Sequence, residues 1–86
     1  MSRIAGEVSQ MLSLKSNMER QSGSIEALRT ELGNQLHNTT WEGRAATQFR
    51  ADWADYERVL VRMREALSAA SREVGSRAHR LSDADS

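Results

Sequence analysis

From Ile4 onward the first half of the chain places an apolar residue at every seventh position: Ile4, Met11, Met18, Ile25 and Leu32. Val8 and Leu36 flank that row on one side, Leu14 and Leu28 on the other. A seven-residue recurrence with neighbours three and four residues away is an apolar stripe about 100° wide along one helix. Lys15, Gln21, Ser22, Arg29 and Gln35 interrupt the flanks, so the stripe narrows in places. The second half is more regular. Ala46, Phe49, Trp53, Tyr56, Leu60, Met63, Leu67, Ala70, Val74, Arg77 and Leu81 alternate spacings of three and four, and only Arg77 departs from the apolar pattern. Sustained spacing of this kind requires a partner helix along its length, because a lone helix would leave the seam in water. Arg50, Glu57 and Arg64 lie between seam positions and are expected to flank the seam or point outward.

Between the two periodic halves lies HNTTWEGR, in which Asn38, Thr39 and Thr40 offer helix caps and Gly43 relaxes the backbone. The pattern predicts one domain over residues 1–86: helix one over about 4–37, an elbow over about 38–42, helix two over about 43–80, and a polar tail over 81–86 whose SDADS end is expected to be disordered. Each helix would be roughly 50 Å long at about 1.5 Å per residue, and so short a connection makes the pair antiparallel. Proline is absent, so no missing backbone donor forces another break. The fold class is therefore all-α, an antiparallel two-helix hairpin. A hairpin hides its facing seams but not the edges of its stripes, and Val8, Leu14, Leu28, Leu36 and Val59 are left over. Two hairpins are expected to associate into a four-helix bundle.

Composition removes several classes of function. The 86 residues make one small domain, whose own core is marginal without help. No cysteine is present, which excludes disulfides, thiolate metal sites and cysteine nucleophiles. His37 and His79 do not make a tetrahedral zinc site by themselves, and no cofactor is expected. Twelve basic and twelve acidic residues cancel, and each half balances too, so no electrostatic footprint for nucleic acid appears. The opening MSRIAGEVSQMLSLKSNMER mixes polar and apolar residues, unlike a cleaved signal peptide. No apolar run approaches the roughly 20 residues of a membrane span, and no membrane insertion is expected. No nucleophile with an adjacent base, catalytic acid pair or phosphate-cradling loop can be assembled, so the chain does not read as an enzyme.

Trp41-Glu42-Gly43, then Ala45-Ala46, Phe49 and Trp53, stand at the centre of a chain near one hundred residues long. In this the sequence resembles the WXG-hundred family, the Esx or early-secreted-antigenic-target-like substrates of bacterial type VII secretion. The resemblance covers nearly the whole chain as a pattern, with specific residues over 41–53. It implies a helical hairpin that pairs with itself or with a sister protein of the same family. Export would be in the folded state, by the membrane ATPase of a type VII system, from the cytoplasm to the outside without a cleaved signal. Trp41 and Gly43 would then form part of a recognition surface.

The family's tail signal, Tyr-x-x-x-Asp/Glu, is absent: the only tyrosine, Tyr56, has Leu60 four residues on. His79 and Asp83 have the spacing and place of that signal in variant form. Either the chain lacks a signal and a sister carries it out, or His79 and Asp83 serve a homodimer. On the residues alone, Trp41 either staples the elbow or is exposed for recognition. Phe49, Trp53 and Tyr56 read as seam packing, as do Met11, Met18 and Met63. A cytosolic coiled-coil adaptor or scaffold is the alternative reading of the same pattern.

Overall fold

The computed structural model describes residues 3–85, with side chains through residue 84. Two helices make up the fold: α1, Arg3–His37, and α2, Arg44–Asp85. They lie antiparallel, since Lys15 meets Gly75, Ser22 meets Arg64 and Ser68, Arg29 meets Glu57, and Gly33 meets Trp53. The molecule is a rod of 64 × 16 × 12 Å. Its length is that of α2 alone, whose 42 residues rise about 63 Å at 1.5 Å each.

Helix α2 continues five residues past the end expected from the pattern, so residues 81–85 are helical rather than a tail with a disordered end. No proline or glycine interrupts this stretch, half-buried Leu81 anchors it, and the His79–Asp83 pair one turn apart supports it. Ser86, the last tail position, lies outside the described residues. The elbow spans 38–43, because Gly43 rather than an asparagine or threonine caps α2.

A second departure concerns which column of α2 faces α1. The spacing sets Ala46, Trp53, Leu60, Leu67, Val74 and Leu81 on the seam together with Phe49, Tyr56, Met63 and Arg77. The first column does face α1: Ala46 is fully buried and the other five are half-buried. Phe49, Tyr56 and Met63 are instead 38, 51 and 49% exposed, and Arg77 is exposed as well. Their place is taken by Glu57, Arg64, Ser71 and Ala78, the first two of which the pattern has flank the seam or point outward. Helical periodicity treats the columns on either side of the Trp53–Leu60–Leu67 row as equivalent. The choice is made by α1, which brings Ser22, Glu26 and Arg29 to meet Glu57 and Arg64.

Along α1, Ile4, Val8, Met11, Met18, Ile25 and Leu36 are half-buried, while Leu14, Leu28 and Leu32 are exposed at 47, 38 and 43%. Leu32 belongs to the same seven-residue row as Ile4. A straight helix drifts about 20° per heptad, so after four heptads that row has turned about 80° from the seam. Gly33 and Leu36 replace it there, with Gly33 under the Trp53 indole. Among the described residues, the buried apolar side chains are Ala46 and Ala78, and no large side chain is fully buried. Two rods touching along one line cannot enclose anything larger.

Candidate interaction face and elbow site

The hairpin has two unlike sides. On the front, α1 contributes positions 11, 14, 18, 21, 25, 28, 32 and 35, and α2 contributes 46, 49, 53, 56, 60, 63, 67, 70 and 74. None of these positions carries a charge, and only Gln21 and Gln35 are polar side chains without an apolar body. At the elbow end a shallow groove between Leu32, Gln35, Phe49 and Trp53 brings the outer columns of both helices to this side.

The back is ionic. Arg29 donates to Glu26 from Nη2 at 2.6 Å and to Glu57 from Nη1 at 3.2 Å, and Arg64 Nη1 donates to Glu26 at 2.5 Å. The chain Glu57–Arg29–Glu26–Arg64 thus crosses between the helices. The Arg29 hydrogen bond, joined by that of Arg64, lowers the Glu26 carboxyl from its ordinary 4.5 to about 2. The same contacts raise Arg29. Beside this network the Ser22 hydroxyl donates to the Arg64 carbonyl at 3.1 Å, and Ser71 donates to the Ser68 carbonyl at 2.8 Å. Both serines are buried, and no buried side-chain nitrogen or oxygen among the described residues lacks a partner.

At the elbow, Gly43 has φ +109°, a left-handed conformation that costs an L side chain about 1–2 kcal/mol. Its carbonyl accepts both the Thr47 backbone N–H and the Thr47 hydroxyl, each at 3.1 Å, which starts α2. Nothing lies within 4 Å of where a Cβ would sit, so glycine is required by the backbone and not by crowding. Thr39 acts at the other helix, donating its hydroxyl to the Gln35 carbonyl at 2.7 Å. Trp41 is 40% exposed and its ring is tilted against Phe49 with centroids 5.5 Å apart. The indole therefore braces the elbow and remains accessible.

Arg50 completes the elbow, and the spacing did not mark it. Its guanidinium donates to the Trp41 carbonyl at 2.8 Å and to the Thr39 carbonyl at 3.2 Å. The signal was available in helix geometry: side chains lean toward the N-terminus, so a long cation in the second turn of α2 reaches back over the first.

The chain belongs to the WXG100 family. The family model, described as proteins of 100 residues with WXG, matches residues 3–86. No curated protein and no solved structure matches the chain. Membership in WXG100 makes this chain one of a family of secreted helical proteins, small substrates of type VII secretion that typically dimerise with sister proteins. The family is not known for enzymes. Among the described residues, no helix is long and apolar enough to cross a membrane. No cluster of three or more metal-ligating side chains is found among them either.

For a WXG100 chain, the residues of interest fall at opposite ends. Trp41 and Gly43 sit at the elbow. His79 and Asp83, whose Nε2 and carboxylate oxygen lie 3.2 Å apart and whose side chains are 77 and 67% exposed, sit near the far end of α2. At about 1.5 Å per residue, roughly 50 Å of helix separates the two places. One hairpin does not bring them together; only a second molecule laid antiparallel would.

Proposed function

We propose that this chain is exported folded by a type VII system, as half of a four-helix bundle whose other half is a second hairpin, its own copy or a sister. The charge-free front carries the proposal. By the scaling of surface with mass, a compact monomer of 9.7 kDa exposes about 5,100 Å². This hairpin exposes 6421 Å². The excess of about 1,300 Å² is of the size that one partner contributes to a stable interface, roughly 800 Å² or more. Nine large apolar side chains contribute to that exposure, Leu12, Leu14, Leu28, Leu32, Trp41, Phe49, Tyr56, Val59 and Met63, and seven of them follow the front or its margin.

In this reading Trp41 and Gly43 present the elbow to the membrane ATPase, and an antiparallel partner sets its tail beside them. His79 and Asp83 occupy the corresponding tail position here. The role outside the cell is that of an effector, a carrier or a companion to another substrate. Trp41→Ala and Gly43→Ala are expected to spare association and to reduce the amount of intact protein in culture medium. Trp41→Ala is the cleaner variant, because Gly43→Ala also strains the backbone. Secretion of both variants at the native level would refute the elbow's role. An intact dimer retained inside cells with a working ATPase would favour the cytosolic scaffold instead.

A further inference from the structure

A concave region remains that neither the front nor the elbow uses. Near the tail, on the back of the hairpin, a groove of about 460 Å³ runs between the helices. Val8 and Leu12 give it an apolar wall, and Leu12 is 48% exposed there. Gly75 forms part of its floor. A Cβ at 75 would stand 2.7 and 2.9 Å from Cε and Cδ of Lys15, so the missing side chain lets the lysine stem lie flat across α2. Glycine inside a helix costs about 1 kcal/mol relative to alanine, and here it opens the groove.

The charged residues lining the groove are Lys15 and Arg72, with the imidazole of His79 beside them, and no carboxylate lines it, in a chain whose charges balance overall. Lys15 is paired with Glu19, and His79 with Asp83. Arg72 makes no hydrogen bond or ion pair among the described residues. An apolar slot beside a free guanidinium matches a side chain of leucine size next to a carboxylate. With Lys15 paired to Glu19, Arg72 is, among the described residues, the one cation of the lining left over, too little positive charge for a phosphate backbone.

We propose that this groove is a second docking surface, which takes an acidic amphipathic helix of a partner protein. A leucine of the partner enters between Val8 and Leu12, and a glutamate or aspartate of the partner meets Arg72. The groove lies opposite the charge-free front, so a hairpin already paired through its front keeps the groove open.

The full chain can be titrated into a fluorescent synthetic helix built from paired glutamates and leucines, with a helix of lysines and leucines as control. Anisotropy is expected to give micromolar binding of the acidic helix and at least about tenfold weaker binding of the basic one. Arg72→Glu and Leu12→Ser, both at exposed positions, are each expected to weaken the acidic helix about tenfold. Arg72→Gln should give an intermediate loss, and Met63→Ser on the front no change. The proposal is overturned if the Arg72 and Leu12 variants bind like the native chain, or if Met63→Ser alone abolishes binding. Equal binding of the basic helix, or of vesicles containing an anionic lipid, also overturns it, as does no binding at about 1 mM.

Discussion

The two long sides of this hairpin solve opposite problems with the same heptad grid. On the back, Glu26, Arg29, Glu57 and Arg64 satisfy one another across the helices, and buried Ser22 and Ser71 find carbonyl partners. No buried side-chain nitrogen or oxygen among the described residues is left without a partner. On the front, Phe49, Tyr56 and Met63 line up with Leu14, Leu28 and Leu32, each left 38–51% exposed. An isolated hairpin would gain more by turning its apolar columns inward and its ions outward. One apolar row of α2 does face α1, the ions join the two helices on one side of it, and in the proposed bundle the exposed apolar columns on the other side meet the second hairpin.

The strongest way to break this contrast is to place a charge on the front. Met63→Glu would bury an unpaired carboxylate in any front-to-front interface, at a cost of about 2–5 kcal/mol. Sedimentation should show association weakened by about a hundredfold or more. Arg62→Glu, in the groove on the back that Arg62 lines with Arg29, Glu57 and Val61, should leave association unchanged. Equal behaviour of the two variants would erase the distinction between the sides.

A smaller effect is expected at the row shared by both sides. Leu67→Ala removes a half-buried side chain from the seam and should cost about 2 kcal/mol in thermal or urea unfolding, the low end for such truncations because the site is open.

Acid sharpens the comparison from the back. Because the folded-state value for Glu26 lies below its unfolded value, its pairing stabilises the fold fully above about pH 4.5 and is lost as pH falls from there toward about 2. The melting temperature of the native chain should therefore drop through that window, and that of Glu26→Gln should be lower at neutral pH and respond less to acid. A native-like acid response in Glu26→Gln would assign the loss to other carboxylates.

The smallest change is expected at Asp55, whose pair with Arg58 is 69 and 67% exposed. Asp55→Asn should shift stability by about 0.5 kcal/mol or less.

The comparison also shows how far a one-dimensional pattern reaches. The elbow was legible because its parts are local: Trp41, Gly43 and the end of each periodic run lie within a few residues. Gly43 in particular answers a backbone demand that only glycine meets cheaply. Arg50 was not legible, since its bonds to Thr39 and Trp41 depend on the path of the elbow in space. His79 and Asp83 were readable as a pair one turn apart, and their helical setting was not, because the polar run after Leu81 masks the continuation of the helix that the seam spacing of Leu81 itself suggests.

By itself the amino-acid sequence determined two amphipathic helices, one bend and a surplus of apolar positions, because 3.6-residue periodicity and the backbone needs of the bend are written locally. Only the tertiary structure decided which columns face inward. On a single helix the columns beside Trp53, Leu60 and Leu67 are symmetry-related choices. The partners that α1 offers, Ser22, Glu26 and Arg29 for Arg64 and Glu57, are more than twenty residues away along the chain and act only once the rod has folded back.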